Sequence, residues 1–262
     1  MPRLLMCPPD HYALRYEINA WMHLENQPDL ALARHQWQRL YEQVRQLAQV
    51  ELVSPAPECP DMVFTANAGL VVREGEVLLS RFRHAERRVE EPHFRRWFEE
   101  HGYIVHIMPD DCPFEGEGDI LRAGERYLGG YRKRTQICAH RVASEYLGHE
   151  VLSLELVDDR WYHLDTALFV LDERTVVYYP GAFDSYARRV IEEHFDTLHV
   201  VEEEAMHFAC NSVVIGQTVL MPEGCPLITA LIERRGYRVI PIPMSEFIKS
   251  GGACKCLAMF LE

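Results

Sequence analysis

The sequence lacks the features that mark membrane, secreted and multidomain proteins. No apolar run in its 262 residues is long enough to span a bilayer, and no basic segment followed by an apolar one opens the chain. No stretch rich in proline, glycine and serine divides it. We therefore expect a single domain over residues 1–262, long enough to bury one large core and without a membrane as partner.

Positive charge is also scarce. The 27 Lys and Arg residues face 40 Asp and Glu, which leaves a formal net charge of −13. This balance argues against nucleic acid and anionic membranes as partners. The eight cysteines form no compact disulfide pattern. We therefore predict free thiols in a reducing cytoplasm, some of them buried as small hydrophobic side chains.

What the chain does have is an internal repeat. Four segments each begin with polar residues and open an apolar run, which is followed by a turn, a second apolar run, a helical pattern and a third apolar run. These openings are Phe64–Asn67, Glu115–Asp119, His163–Asp165 and Cys210–Ser212, and a last partial copy is Gly251–Cys256. Successive openings lie 44 to 52 residues apart. Such a period indicates one supersecondary unit per repeat.

Each unit is predicted to be ββαβ. The apolar runs 68–72 with 77–80, and 166–171 with 175–179, are typical of hairpins because charged turns join them. Helical patterns cover 93–101, 136–147, 188–195 and 227–235. Gly102, Gly148 and Gly236 follow three of these patterns and suit left-handed helix ends. A further helical pattern at 29–50 is expected to supply the remaining unit.

A radial arrangement of the repeats would bring their openings into one pocket. A thiol attacks as a thiolate, and a nearby cation lowers its pKa. His163 is the candidate for that cation and for general acid and base, and Asp165 would share its strand face and orient its ring. The residues expected to meet are Asn67, Asp119, His163, Asn211 and Cys256.

The Cys254-x-Cys256 pair has two interpretations. It could be half of a zinc site, but no second pair with suitable spacing is evident, so no metal is favoured. Gly251 and Gly252 precede the pair. Because glycines let backbone and ligand approach closely, we favour a nucleophilic thiol that is exposed rather than packed.

These motifs resemble the guanidino-group-modifying enzymes, which include arginine deiminase, dimethylarginine dimethylaminohydrolase, agmatine deiminase, the amidinotransferases and arginine dihydrolase. The family's C-terminal Gly-Gly-x-x-x-Cys is similar to Gly251–Cys256, and its His-x-Asp is similar to His163–Asp165. Its Glu-Gly-Gly-Asp resembles Glu115–Asp119, which is one residue longer, and its Arg-Thr resembles Arg134–Thr135. The resemblance covers essentially the whole chain and implies a five-bladed α/β propeller, the pentein fold, around a substrate pocket.

The resemblance also implies roles for particular residues. The expected catalytic residues are Cys256 as nucleophile, His163 and Glu115, with Glu117 as the alternative to Glu115 because of the extra residue in the motif. Arg134 is the candidate for the substrate carboxylate. The other expected substrate-binding residues are Asn19, Phe64, Asn67, Arg87, Asp119 and Asp165.

Asn67 bears on which reaction the site performs. The deiminases and dimethylargininases carry an aspartate at this position, whereas Phe-Thr-Ala-Asn-Ala-Gly is similar to the arginine dihydrolases. A carboxylate pairs bidentately with a guanidinium, but an amide, with both donor and acceptor, can also hold a neutral ureido group. We therefore expect an arginine dihydrolase that yields ornithine, ammonia and carbon dioxide through a covalent Cys-amidino intermediate. A purely structural turn role for Asn67 is the alternative.

Three other functions stay open. The first is a different guanidino hydrolase, a dimethylarginine dimethylaminohydrolase or an arginine deiminase, that gives citrulline. The second is an amidinotransferase, in which an amine replaces water as acceptor, and the third is a non-catalytic propeller that only binds. No metal or organic cofactor is expected, because side chains supply nucleophile, base and electrostatic clamp. The expected partner is a small guanidino compound, and a homo-oligomer stays open.

Overall fold

The computed structural model describes all residues from 1 to 262 and contains fifteen β-strands and nine α-helices. The strands are β1 (Arg3–Met6), β2 (Gln49–Leu52), β3 (Gly69–Arg73), β4 (Glu76–Leu79), β5 (Ile104–Ile107), β6 (Ile120–Ala123), β7 (Arg126–Tyr131), β8 (Val151–Glu155), β9 (Leu168–Val170), β10 (Thr175–Tyr178), β11 (Asp196–His199), β12 (Val213–Ile215), β13 (Thr218–Pro222), β14 (Arg238–Ile242) and β15 (Met259–Phe260). The helices are α1 (Leu30–Leu47), α2 (Ala85–Arg88), α3 (Glu91–Glu100), α4 (Ile137–Leu147), α5 (Leu164–Ala167), α6 (Ser185–His194), α7 (Glu202–Ala205), α8 (Pro226–Arg234) and α9 (Ser245–Ile248). None of these helices is both long enough and apolar enough to cross a membrane.

The strands form five three-stranded sheets with one shared pattern. In four of them an antiparallel hairpin is followed by a helix and a third strand parallel to the second. These sheets are β3-β4-β5, β6-β7-β8, β9-β10-β11 and β12-β13-β14. The predicted ββαβ repeats are confirmed as these sheets, since each unit starts where its motif was recognised.

The fifth sheet combines the two ends of the chain. Strand β1 runs parallel to β2 and antiparallel to β15, with Leu4 opposite Phe260 and Leu5 opposite Met259. The first fifty residues and the partial last repeat therefore complete one another as a single unit. The missing first strand of the N-terminal unit comes from the segment that carries Cys256.

The predicted helices form with small differences at their ends. Asp29 caps α1 because its Oδ1 accepts hydrogen bonds from the backbone N–H groups of residues 31 and 32. Helix α1 buries Ala33, Trp37, Leu40 and Val44, which follow a helical period. It ends at Leu47 rather than Val50, because residues 49–52 pair with β1. The glycines at 102, 148 and 236 all have positive φ, as predicted.

The predicted strand 166–171 is wrong at its beginning. Residues Leu164–Ala167 form the short helix α5, and β9 begins only at Leu168. Two side-chain contacts stabilise the helical turn in this segment. The hydroxyl of Thr166 donates to the carbonyl of His163 over 2.7 Å, and Asp119 accepts from the N–H of Leu164 over 3.0 Å. Asp165 therefore does not share a strand face with His163.

The expectation that all cysteines are free is also wrong. Cys112 and Cys138 form a disulfide, whereas the other six cysteines are free and buried. The loop before Glu115 lies beside the start of α4, where the N–H of Gln136 donates to the carbonyl of Pro113 over 3.0 Å. This contact between distant segments brings the two thiols together, and their spacing in the sequence does not indicate it.

Candidate active site

The openings of the repeats meet in one buried site. Each predicted residue lies in the segment that leads into the first strand of a sheet: Asn67 before β3, Glu115 before β6, His163 before β9 and Cys256 before β15. All four side chains are at most 2 % exposed. A chain of contacts joins them. The N–H of Ala66, next to Asn67, donates to the carbonyl of Cys256 over 3.1 Å, Asn67 donates to the carbonyl of Glu115, and Glu115 contacts His163. Segments separated by almost 190 residues therefore build one site.

Glu115 and His163 form a directly bonded pair. The Nε2 atom of His163 lies 2.7 Å from Oε2 of Glu115, and Nη1 of Arg134 donates to the same oxygen over 3.1 Å. Burial opposes ionisation of Glu115, but the charge of Arg134 and the hydrogen bond from His163 outweigh it and lower its pKa. Glu115 is therefore an anion that holds Nε2 of His163, and Nδ1 has no partner.

Glu117, the alternative within the same motif, lies in a different environment. Its Oε2 accepts from Nζ of Lys255 over 2.9 Å and from the N–H of Phe260 over 3.0 Å. It thereby ties the Glu115–Asp119 segment to the strand that follows Cys256. Of the two glutamates, only Glu115 touches His163.

Asp119 connects the backbones of neighbouring segments. Its Oδ1 accepts from the N–H of Leu164 over 3.0 Å, and its Oδ2 accepts from the N–H of Thr135 over 3.2 Å. The Oδ2 atom also lies 4.0 Å from Nε2 of His163. Burial raises the pKa of Asp119 to about 6, although the charge of His163 opposes this rise. The carboxyl thus holds the segment of Arg134 and the segment of His163 next to each other.

Cys256 is buried, and the expectation of an exposed thiol is wrong. Gly252 allows this packing, because a Cβ atom there would lie 2.6 Å from Cε1 of Phe64 and 3.2 Å from Cβ of Cys256. Burial, together with the nearby charge of Asp165, raises the pKa of the Cys256 thiol well above its ordinary value. A cation close to the sulfur would favour the thiolate here.

Asp165 contacts the thiol rather than the imidazole. Its Oδ2 lies 3.4 Å from Sγ of Cys256, and its Oδ1 has no hydrogen-bond partner. The interpretation that Asp165 orients the ring of His163 is therefore wrong. Burial raises the pKa of Asp165 from its ordinary 3.8 to about 7, against the opposing charge of Lys255. A buried carboxyl with a free oxygen suits contact with a cationic group.

The amide of Asn67 is fixed at both ends. Its Oδ1 accepts from Nη1 of Arg87 over 2.8 Å, and its Nδ2 donates to the backbone carbonyl of Glu115 over 3.2 Å. A Cβ atom at Gly118 would lie 2.2 Å from this Nδ2, so only glycine fits there. One proton of Nδ2 stays available, because an amide nitrogen carries two donors.

Both predicted arginines are buried, and each is paired with a glutamate. Arg87 pairs bidentately with Glu90 over two contacts of 2.8 Å, in addition to its contact with Asn67. Arg134 also donates to the carbonyl of Ile18 over 2.9 Å, and its guanidinium lies 4.6 Å from the ring centroid of Tyr162. Both arginines therefore lie beside the residues that build the site.

Asn19 and Phe64 lie against the loop that carries Cys256. The Nδ2 atom of Asn19 donates to the carbonyl of Ser250 over 3.0 Å, and Phe64 packs against Gly252. Asn19 is partly buried, and its Oδ1 accepts from the N–H groups of residues 21 and 22. These contacts connect the segment near residue 19 with the loop that carries Cys256.

At the site, sequence reasoning missed the side chains of Tyr162 and Asp61 and assigned no role to Asn211. Asn211 was recognised as a repeat opening but given no role, and it contacts Cys256 directly. Tyr162 donates to the carbonyl of Gly251 over 2.6 Å, and Asp61 is buried with Oδ1 unpartnered. Their positions next to the His163 and Phe64 motifs were the available signals. Neither residue type stands out without the fold.

One group of side chains has ligand atoms close enough to hold a metal ion. The ligand atoms of Glu58, Cys59 and His93 lie within 4.8 Å of one another, and Glu58 is exposed. None of the predicted site residues belongs to this group. Cys254, the other member of the Cys-x-Cys pair, instead packs in a core cluster with Phe208 and Leu257.

Replacing Asp165 with asparagine should change how stability depends on pH. Because the folded protein keeps this proton up to a pH of about 7 and the unfolded chain loses it near 3.8, the stabilisation is present below pH 4 and lost as the pH rises to about 7. The Asp165→Asn variant lacks this loss. Its Tm relative to the wild type should therefore rise by several degrees between pH 4.5 and pH 8. A difference in Tm that is constant across this range would contradict the raised pKa.

The chain matches the family model described as N,N dimethylarginine dimethylhydrolase, eukaryotic, over residues 12–261. It is 44% identical over 263 residues to the bifunctional arginine dihydrolase/ornithine cyclodeaminase AgrE of Nostoc sp., covering 98% of this chain and 37% of AgrE. It is 45% identical over 266 residues to ArgZ of Synechocystis sp., which has the same description, with the same coverage. It is 38% identical to N(G),N(G)-dimethylarginine dimethylaminohydrolase of Mycobacterium tuberculosis, over 98% of this chain and 85% of the relative.

Solved structures agree with these similarities. The N-terminal domain of ArgZ, an arginine dihydrolase from the ornithine–ammonia cycle in cyanobacteria, superimposes with a TM-score of 0.96 at 42% identity, over 100% of this chain and 98% of that domain; it is a Cys-to-Ser variant bound to substrate. An Asn-to-Ser variant of the same domain, covalently bound to a reaction intermediate, gives a TM-score of 0.96 at 43% identity over the same shares of the two chains. A dimethylarginine dimethylaminohydrolase at 22% identity gives 0.81 over 99% of both chains and shows the same fold.

The repeats, the buried Cys and His, and these matches define the class as the guanidino-group-modifying proteins predicted from the motifs. The chain belongs to the dimethylarginine dimethylaminohydrolase family, whose model covers nearly its whole length. It spans 37% of the length of AgrE and ArgZ, the bifunctional relatives.

Proposed function

We propose that residues 1–262 form one catalytic domain that hydrolyses the guanidino group of arginine twice, giving ornithine, two molecules of ammonia and carbon dioxide. The observation that carries this proposal is the buried amide of Asn67, fixed between Arg87 and Glu115 within the site that holds His163 and Cys256. The identity of 44–45% to two proteins described as arginine dihydrolases supports it.

We infer in addition that the five sheets close into a propeller. A cavity of about 1080 Å³ supports this, because residues from the first strand of every sheet line it. The lining residues include Leu70, Ile120, Phe169, Val214 and Phe260. Strands of five separate sheets can share one cavity only if they surround it. This cavity is not lined by Cys256, His163 or Glu115, so the proposed reaction site lies outside it.

The first chemical step follows from the contacts of Cys256 and His163. Ionised Glu115 and Asp165 stabilise the guanidinium cation, which in turn favours the thiolate of Cys256. The Cys256 thiol gives its proton to Nδ1 of His163, and the thiolate attacks the central guanidino carbon to form a tetrahedral adduct. Because Glu115 holds Nε2 of His163, the unpartnered Nδ1 delivers the proton to the departing ammonia. An amidino group remains bonded to sulfur.

The second step regenerates the thiolate. Nδ1 of His163 takes a proton from water, and the resulting hydroxide attacks the amidino carbon and expels sulfur, which releases citrulline. For the second hydrolysis, the thiolate attacks the ureido carbon, ammonia leaves, and water cleaves the resulting carbonyl–sulfur bond. The carbamate of ornithine then loses carbon dioxide.

Asn67 gives the second hydrolysis its binding site. Oδ1 is occupied by Arg87, so the free proton of Nδ2 is the group that the amide offers to a ligand. A guanidinium gains nothing from an added donor, whereas the ureido oxygen of citrulline accepts it. The donor would also stabilise the negative charge that develops on this oxygen during attack.

Arg134, Arg87, Asn19 and Phe64 are proposed to receive the rest of the substrate. Arg134 is the candidate for the α-carboxylate, since an arginine guanidinium binds carboxylates bidentately. Asn19 and Phe64 both contact the loop that carries Cys256, so they are placed to shape the pocket around the aliphatic chain. Arg87 contributes by holding Asn67 and by its charge.

A turnover assay with arginine tests the proposal. We expect ornithine and about two equivalents of ammonia per arginine consumed, with citrulline only as a transient, measured by amino-acid chromatography and enzymatic ammonia detection. Citrulline should itself be converted to ornithine when supplied alone. Formation of citrulline as the end product would refute the dihydrolase assignment and leave the guanidino hydrolase class intact.

The second candidate function is dimethylarginine hydrolysis. The family model and the Mycobacterium tuberculosis relative favour it. Asymmetric dimethylarginine would then yield citrulline and dimethylamine, whereas arginine would be a poor substrate. The same assay with both substrates separates the two functions, and addition of glycine or lysine as amine acceptor tests for an amidinotransferase.

Replacing Asn67 with aspartate should change the product. The contact with Arg87 would persist as an ion pair, but the donor Nδ2 would become an oxygen 3.2 Å from the carbonyl of Glu115. Loss of the donor removes the contact with the ureido oxygen. We expect citrulline to become the main product and its conversion to ornithine to fall about 10²-fold or more. Unchanged ornithine yield from Asn67→Asp would contradict the role given to Asn67.

A further inference from the structure

Asn211 makes four hydrogen bonds around the nucleophile. Its Oδ1 accepts from the N–H of Ala253 over 2.9 Å and from the N–H of Cys256 over 3.1 Å. Its Nδ2 donates to the carbonyl of Asp165 over 3.0 Å and to Sγ of Cys256 over 3.1 Å. The side chain is fully buried, so both lone pairs and both protons of the amide are used inside the protein.

The contact with Sγ has a chemical meaning beyond packing. A neutral thiol is a weak hydrogen-bond acceptor, whereas a thiolate is a strong one. Asn211 is the sole side chain that donates a hydrogen bond to Sγ, and the other polar contact of the sulfur is with the acid Asp165. A buried sulfur beside a carboxyl needs a donor when it becomes an anion. The amide proton of Asn211 meets this need without a change of geometry.

We propose that Asn211 is a further catalytic residue, which donates a hydrogen bond to the Cys256 thiolate and fixes the loop from Ala253 to Cys256 for attack. This inference deepens the proposed function and rests on Cys256 being its nucleophile. The oxygen and the nitrogen of the amide have different functions. Oδ1 holds two backbone N–H groups of the loop, and Nδ2 stabilises the negative sulfur.

The charges around Cys256 determine the direction of the expected shift. Asp165 faces the sulfur and raises the pKa of the thiol, as burial does, whereas the hydrogen bond from Asn211 lowers it. The hydroxyl of Tyr162 is another titratable group near this sulfur, and burial raises the pKa of Tyr162 well above its ordinary value. Lys255 is paired with Glu117 at 2.9 Å. Removing the donor must therefore raise the pKa of the Cys256 thiol further.

Asn211→Asp is a nearly isosteric test. The aspartate keeps an oxygen for the N–H groups of Ala253 and Cys256 but loses the donor to sulfur and adds a negative charge, so the uncharged Asn211→Ala variant must shift the pKa in the same direction. The rate of alkylation of Cys256 by iodoacetamide is measured against pH in the full chain, with mass spectrometry to identify the modified thiol and Cys256→Ser as background. Because the pKa of the wild-type thiol is already well above its ordinary value, we expect the shift to appear as an alkylation rate at least about 10-fold lower at each measured pH. We also expect kcat to fall about 10²–10³-fold, while KM changes less than about 3-fold.

Ser212→Ala is the matched control. Ser212 is the next residue, is also buried and donates to the carbonyl of Ala209 over 2.8 Å, but it makes no hydrogen bond to Cys256. Its alkylation profile and kcat should stay near those of the wild type. Asn211→Ala serves as a second variant, which removes both halves of the amide and should also raise the pKa of alkylation.

Three outcomes would overturn the proposal. The first is an unchanged alkylation profile in a folded Asn211→Asp variant, and the second is an equal shift in Ser212→Ala. The third is failure of both Asn211 variants to fold, which would make the residue structural. Because alkylation requires no substrate, it tests Asn211 even if the wild-type protein does not convert arginine to ornithine.

Discussion

Replacing Cys256 with serine should lower the turnover of arginine by about 10⁴-fold or more, a loss of the size seen when catalytic nucleophiles are removed. A serine hydroxyl is nearly isosteric but is a far weaker acid than a thiol. The raised pKa of the buried Cys256 thiol already makes anion formation demanding, and a hydroxyl at the same place would not ionise. Ammonia release under saturating arginine measures the loss. Binding of arginine, measured by calorimetry, should persist.

Cys254→Ser is the control within the same motif. Cys254 is fully buried in an apolar cluster, and the contacts with Asn211 and Asp165 belong to Cys256 alone. The variant should lose some stability because a hydroxyl is placed in an apolar core, but it should keep most of its kcat. Equal loss from both variants, or a larger loss from Cys254→Ser, would move the nucleophile two residues earlier.

The fold could be predicted from the sequence because its units repeat. Each opening motif, hairpin, helix and final strand recurs at a similar spacing, so weak signals in one unit are supported by the others. The helix over 137–147 and the glycine at 148 illustrate this, since both appear where the pattern places them. The pairing of β15 with β1 could not be derived in this way. It joins residues more than 250 positions apart, and only the shortness of the last copy indicated it.

The sequence predicted which residues lie together in the candidate site, but it did not predict which of their side chains contact one another. Glu115 and Glu117 are two residues apart in one motif, but their contacts differ. Glu117 pairs with Lys255, which lies 138 positions away in the sequence. Asp165 contacts sulfur rather than imidazole because Asp119 and Thr166 coil its segment into a helical turn. Such side-chain to backbone bonds override the strand preference of local sequence. The repeat pattern of the sequence does not indicate these side-chain to backbone hydrogen bonds.

The burial of Cys256 is another property that the local sequence does not indicate. Two glycines before a cysteine are compatible with an open loop, but here they allow Phe64 and Tyr162 to pack against the backbone. The same packing removes water from the thiol and raises its pKa. The features that raise the pKa of the Cys256 thiol, its burial and the nearby Asp165, thus depend on residues distant in sequence.

Replacing His163 with alanine is expected to lower kcat by about 10²–10⁴-fold, the contribution typical of a positioned general acid and base. The reason lies in its two nitrogens: Nε2 is held by Glu115 over 2.7 Å, which leaves Nδ1 to protonate ammonia and to deprotonate water. His163→Asn should be similarly slow but should bind arginine better than the alanine variant, because an amide preserves a polar contact with Glu115. Stopped-flow measurement of ammonia release and calorimetry separate these effects.

His140→Asn provides a matched buried control for this experiment. His140 contacts Ser153 over 2.8 Å and the carbonyl of Gly130 over 3.2 Å, and burial lowers its pKa to about 4. Its loss should therefore reduce Tm but leave kcat within a few-fold of the wild type. External imidazole should partly restore turnover in His163→Ala, since it can enter the space of the missing ring, and should not accelerate His140→Asn. If His163→Ala were active without imidazole, His163 would have no part in the mechanism. Its contact with Glu115 in the wild type would then be purely structural.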